Sequence, residues 1–116
     1  MAADDEIFRV TDRWGDGIVL TQRDWSRITA KRPGVEGYVD HVRETLEHPS
    51  MVYEGRYHDS KVFYRKSLLD NDPLYTACYV AVIVRYPGGT DPATIRTVYF
   101  PFHVQAKLGR LLHVEF

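Results

Sequence analysis

Cysteine is almost missing from this chain: Cys78 is the only one in 116 residues. No intramolecular disulfide can form, a usage that fits a reducing compartment. Cys78 lies in the apolar run Thr76-Ala77-Cys78-Tyr79-Val80-Ala81-Val82-Ile83-Val84 and reads as a small buried hydrophobe rather than a nucleophile. No stretch approaches the ~20 apolar residues of a membrane span. The N-terminus lacks the basic start and apolar middle of a signal peptide. Together these absences predict a soluble, cytoplasmic protein with no membrane partner. Cofactor and metal signatures are absent too: there is no Cys-x-x-Cys, no His-x-x-x-His and no glycine-rich phosphate loop, so no cofactor and no metal are expected. Neither sign of charge dominates. Fifteen Lys and Arg stand against sixteen Asp and Glu, for a net charge of −1, and bulk charge argues neither for nor against a polyanionic partner. No linker, repeat or low-complexity segment divides the chain.

What is present suits one globular domain over 1–116, with 44% hydrophobic and 27% charged residues and enough length for one real core. Residues 1–6, with Asp4, Asp5 and Glu6, read as a disordered tail. Ile7–Val10 and Ile18–Leu20 form short N-terminal strands within 7–20, split by the turn signal Trp14-Gly15-Asp16-Gly17. Thr21 reads as a helix N-cap with Asp24 three residues on. The helical part spans 21–48. Its first helix runs to about Ala30 and buries Trp25 and Ile28; Pro33-Gly34 interrupts it. Val35, Tyr38, Val39, Val42 and Leu46 then fall on one face of a second helix, from about Val35 to Glu47, which Pro49 ends. From Met51 the period switches to two. Strands are expected at Met51–Tyr57, Lys61–Ser67, Tyr75–Tyr86 and Thr94–Phe100, within an antiparallel sheet over 51–100. Ser67–Pro73 reads as a loop. A C-terminal extension over 103–116 holds a helical turn near Ala106–Leu108 and a last strand from Leu111 to Phe116. Helices followed by hairpin-connected strands predict an α+β fold, with two N-terminal helices packed on one face of an antiparallel sheet of about four strands.

Basic and aromatic residues are the chemically suggestive ones. Arg27 and Lys31 share a helix face, and Arg32 follows at the exit. Cations at a helix C-terminus complement its dipole, or they form a cluster that faces phosphate. Alternation puts Tyr64 and Lys66 on one face of their strand and Arg65 on the other, with Arg56 on the preceding strand. Likewise Ile95, Thr97 and Tyr99 share a face, with Arg96, Val98 and Phe100 opposite. Such a face is either the solvated side of a half-buried sheet or a surface for a phosphodiester backbone and stacked bases. Of the five histidines, His41 and His48 read as solvated on the second helix and His58 sits in a turn. His103, after Pro101-Phe102, is the histidine with a claim to acid–base work.

These motifs, in this order, resemble the barnase–EndoU–colicin–RelE superfamily of small ribonucleases, and most closely its phage-associated group of toxin-like domains. The resemblance covers roughly Ile18 to Phe100. It rests on Leu20-Thr21-x-x-x-Trp25 opening the first helix, Lys31-Arg32-Pro33 closing it, Thr45-Leu46-Glu47-His48-Pro49 ending the second, and then Arg56, Tyr64-Arg65, Val80–Val84 and Thr97-Val98-Tyr99. It implies a barnase/RelE-like fold and metal-independent RNA cleavage by attack of the ribose 2′-OH on the adjacent phosphate. Where the family tends to carry helix histidines, this chain has Arg27 and Arg32. A guanidinium does not serve as a general base near neutral pH, but it stabilises a pentacovalent phosphate. The ribosome-dependent relatives are similar in using arginine, lysine and tyrosine. The implied catalytic set is Arg27, Arg32 and Arg65 on phosphate, Thr97 positioning the 2′-OH or a phosphate oxygen, and Tyr99 transferring a proton, with Tyr64 and His103 as alternatives. Lys31, Arg56, Tyr64, Lys66 and His103 are the implied substrate-binding residues. The implied partners are RNA and an antitoxin or immunity protein. The other reading is a catalytically inactive relative that acts as an RNA- or protein-binding module.

Overall fold

The computed structural model describes residues 5–56, 59–67, 78–89, 91–102, 104 and 109–114, with backbone only for Ser67 and Cys78. Of the tail expected over 1–6, residues 1–4 lie outside the described residues, but Glu6 belongs to the first strand and the Asp5 carbonyl accepts from the Gln22 N–H. Of the loop expected over Ser67–Pro73, Ser67 ends a strand and the rest lies outside the described residues, as do His58, the burial of Cys78, His103 and the turn at 106–108. Within them the elements are β1 (Glu6–Thr11), β2 (Gly17–Thr21), α1 (Gln22–Lys31), a 3-10 turn (Pro33–Val35), α2 (Val39–Glu47), β3 (Met51–Glu54), β4 (Ser60–Ser67), β5 (Cys78–Arg85), β6 (Ala93–Tyr99) and β7 (Leu111–Val114). Thr21 caps α1 as its sequence predicts: its hydroxyl accepts from the Asp24 N–H at 3.2 Å, satisfying one of the open donors of the first turn. The second helix starts later than its apolar spacing suggests. Pro33 opens a tight 3-10 turn and Gly37 takes φ +90°, a left-handed conformation that a helix cannot contain. Val35 is still buried, but from the turn.

The expected assembly is corrected. The strands do not form a four-stranded antiparallel sheet with two helices on one face. They form one seven-stranded mixed sheet in the order β1-β2-β6-β5-β4-β3-β7. The central β3-β4-β5-β6 meander is antiparallel. The N-terminal hairpin joins it through a short parallel pairing of β2 with β6, Ile18 opposite Ala93 and Val19 opposite Thr94. At the far edge β7 pairs antiparallel with β3. The physical reason is burial. A lone hairpin is marginal in water, and Phe8, Val10, Ile18 and Leu20 form an apolar face that must be covered. Docked beside β6, all four are buried. Parallel partners are joined by long connections, so this pairing leaves no local mark in the sequence.

The sheet has two unlike faces. One carries the main core: Phe8, Val10, Ile18, Leu20, Val52, Phe63, Val80, Val82, Val84, Ile95 and Val98 pack with Trp25 and Ile28 of α1 and Val42 and Leu46 of α2. The other carries a smaller cluster of Val62, Tyr64 and Ala81, bordered by Met51, Tyr53, Tyr79, Ile83, Tyr99 and Val104. On the core face the β1–β2 turn reaches across the sheet. Trp14 packs edge-on to Phe63 with ring centroids 6.4 Å apart, and the Lys61 ammonium lies 3.9 Å from the Trp14 ring centre and 4.4 Å from that of Tyr86. Asp12, 5% exposed, holds the turn. One carboxylate oxygen accepts from the Trp14 and Asp16 N–H groups and the other accepts from the Tyr86 hydroxyl at 2.8 Å. Burial, followed by that hydrogen bond and the charges of Asp12 and Asp16, raises the Tyr86 phenol far above its ordinary range.

Candidate functional site

The candidate site forms where β2 parts from β6. Their pairing ends at Val19 and Thr94, β2 gives way to α1 after Thr21, and the outer edge of β6 is left with open carbonyls. Arg27 of α1 fills that gap. Its guanidinium donates to the carbonyls of Arg96 (3.0 Å) and Ile95 (3.2 Å), so backbone acceptors that lost a strand partner regain donors. Two successive carbonyls face one side chain because β6 is bulged there. Ile83 pairs with Thr97 while Val84 pairs with Ile95, which leaves Arg96 as the extra residue.

The bulge also corrects the expected alternation along β6. Ile95 does not share a face with Thr97 and Tyr99. Ile95 turns into the main core with Val98, while Thr97 and Arg96 line a cleft and Tyr99 borders the smaller cluster. An inserted residue shifts a period of two by one place, so positions before and after it fall out of phase.

The cleft has a volume of about 600 Å³ and is lined by Arg27, Ile28 and Lys31 of α1, Asp59 and Ser60 at the start of β4, Ile83 and Arg85 of β5, and Arg96 and Thr97 of β6. That volume is typical of small-ligand sites. Ile28 and Ile83 give it an apolar part; four cations, one carboxylate and two hydroxyls give it polar walls. Two of the cations are already engaged. Arg27 holds β6 and sits 3.8 Å from Asp24, and Arg85 pairs with Asp59 at 3.2 Å. A guanidinium has five N–H donors, so neither is exhausted. Lys31 and Arg96 are exposed.

Beyond Thr97 the same face continues into tyrosines. The Tyr99 hydroxyl lies 3.3 Å from that of Tyr64. Tyr64 is fully buried, and its ring meets Tyr53 and Tyr79 edge-on at 6.1 and 6.0 Å. Arg32, just past α1, holds its guanidinium carbon 5.6 Å from the centre of the Tyr99 ring.

The sequence-derived residues thus divide. Arg27, Lys31 and Thr97 line one cleft, and Arg32 and Tyr99 pair beside it. Tyr64 lies across Ala81 of β5 from Tyr99 and has no exposed surface. Lys66 is exposed near the end of β4, opposite Tyr79. Arg56 is exposed after β3 and is not part of the lining. Arg65 is on the other side of the sheet: it donates to the His48 carbonyl at the end of α2 and pairs with Glu44 at 3.0 Å, tying α2 to β4. His103 lies outside the described residues. Sequence reasoning missed Asp59, Ser60, Arg85 and Arg96. Arg85 ends an apolar strand and Arg96 sits on a bulge that no glycine announces, so neither carries a local signal.

Among the described residues no cluster of His, Cys, Asp and Glu is arranged to hold a metal ion, and no helix is long and apolar enough to cross a membrane. No protein-family model, no curated protein and no solved structure matches the chain.

Proposed function

We propose that this domain binds RNA, taking the phosphodiester backbone into the cleft between α1 and the β4-β5-β6 surface. The observation that carries this reading is the convergence of Arg27, Lys31, Arg85 and Arg96 on one cleft in a chain whose net charge is −1. Four cations against one lining carboxylate, Asp59, leave the cleft with a net positive charge, a local attraction for polyanions. Thr97 adds a hydroxyl that donates to a phosphate oxygen or accepts from a ribose 2′-OH. The ribonuclease-like order of motifs favours RNA over other anions. Cleavage would further need one group to remove the 2′-OH proton and another to protonate the leaving oxygen. No histidine is found among the described lining residues, and the lining carboxylate, Asp59, is held by Arg85. Binding is therefore the function the geometry supports best.

The test is fluorescence anisotropy with a labelled single-stranded RNA in chelator, run beside a gel for cleavage. Lys31→Glu combined with Arg96→Glu is expected to weaken binding by more than about tenfold. Loss of two phosphate contacts is expected to flatten the slope of log affinity against log salt by about 1.4. Unaltered affinity in the double variant, or no binding by the unmodified domain at low salt, would sink the proposal. RNA cut by the unmodified domain but not by Thr97→Ala would promote the domain to a nuclease.

A further inference from the structure

Arg32 lies outside the cleft lining, and its surroundings suit a different task from neutralising phosphate. It immediately follows α1, which ends at Lys31, and is exposed. Its guanidinium lies over the Tyr99 ring. A guanidinium is planar and attracted to an aromatic face, so Tyr99 pre-orders it. Tyr99 is itself held, because its hydroxyl reaches that of the buried Tyr64. Tyr64 is packed edge-on by Tyr53 and Tyr79, so its ring is contacted by two others. The guanidinium carbon thus lies 5.6 Å from the centre of a supported ring while the residue remains open to solvent.

We infer that Arg32 is a stacking shelf for a nucleobase, so that the domain takes single-stranded RNA with one unpaired base laid on the Arg32–Tyr99 pair beside the cleft. This rests on the cleft binding the RNA backbone. Bases splayed from a single strand stack on aromatic rings and on arginine planes, and paired bases in a duplex offer no such face. Spacing supports the arrangement. Thr97 and Tyr99 lie on the same side two residues apart on β6, about 7 Å along a strand, within reach of a phosphate and the base of a neighbouring nucleotide. Tyr99 acts here as a positioning residue; the base touches Arg32.

Lysine and arginine substitutions separate stacking from charge. Arg32→Lys keeps the cation and removes the plane. If Arg32 is a shelf, Arg32→Lys weakens binding of a short single-stranded RNA about tenfold, as expected for loss of one stacked base, while leaving the salt slope unchanged. An RNA made abasic at each position in turn locates the base: at one position the unmodified domain loses about tenfold and Arg32→Lys loses nothing further. Tyr99→Phe keeps the ring and retains affinity, whereas Tyr99→Leu behaves as Arg32→Lys. Equal affinity of Arg32→Lys and the unmodified domain, or no abasic position that affects them differently, would overturn the shelf. The cleft proposal would stand if Lys31→Glu with Arg96→Glu still lost binding in the same assay, so the two ideas fail separately. Duplex RNA bound as tightly as single-stranded RNA would also overturn it.

Discussion

The two faces of the sheet are built by the same strands and do different work. On one, Phe63, Val80, Val82, Val84 and Ile95 share one continuous apolar cluster with Ile28 of α1 and Val42 and Leu46 of α2. On the other, Val62, Tyr64 and Ala81 make a small buried centre, and around it tyrosine hydroxyls, a threonine and cations are held at fixed places. Alternation alone separates them along β4: Phe63 and Arg65 serve the first face, Tyr64 the second. The first face supplies burial, which is insensitive to direction. The second supplies oriented polar groups, whose value depends on position. Charge on β4 therefore predicts nothing until its parity is known, because Arg65 is consumed in holding α2.

The largest blow to this contrast would come from Phe63→Ala. Removing a fully buried ring from the core face should cost about 3–5 kcal/mol of stability, read from urea unfolding, while the folded fraction keeps its RNA affinity within about twofold. A large affinity loss without unfolding would show that the faces are coupled. Tyr86→Phe comes next. It deprives the buried Asp12 carboxylate of its hydroxyl partner and should cost about 1–3 kcal/mol at neutral pH. The Tyr86 phenol is raised in the folded state, so its contribution is complete below the unfolded value near ~10. Above that pH the unfolded phenol ionises while the folded one stays protonated. The gap between the unmodified domain and Tyr86→Phe should then narrow by about 1.4 kcal/mol per pH unit. A gap constant up to pH 11 would contradict the assigned direction. The smallest effect is expected from Arg65→Ala: about 1 kcal/mol or less of stability, since the pair with Glu44 is partly exposed, and no change in RNA binding. An affinity loss there comparable to that of Lys31→Glu would return Arg65 to the site.

Much of the local structure was legible in the sequence. Thr21 announced α1, the period-two runs announced β3 to β6, and Pro87–Pro92 announced the turn between β5 and β6. These are contacts among near neighbours, and propensity and periodicity record them directly. The whole was misread wherever distant segments met. The parallel seat of β2 beside β6 and the pairing of β7 with β3 are set by which apolar faces remain uncovered after the meander forms, and no single segment encodes that. The site was legible in part for the same reason. Arg27, Lys31 and Thr97 converge as their positions suggested, but the bulge at Arg96 reassigned Ile95 to the core, and that shift of phase brought in a cation that strict alternation had placed on the opposite side.

The two-residue bond between β2 and β6 has a consequence for how the chain comes to be folded. Ile18 and Val19 find their partners only once Ala93 and Thr94 exist. During synthesis, at about 5–20 residues per second, the N-terminal segment waits about 4–15 s with its apolar face uncovered and its strand edge unpaired. Such long-range closure slows folding, and an open edge invites strands from other chains. The earliest-made part of the domain is thus among the last to be secured. Conditions that lengthen the wait, such as slow translation, would be felt first as aggregation of nascent chains.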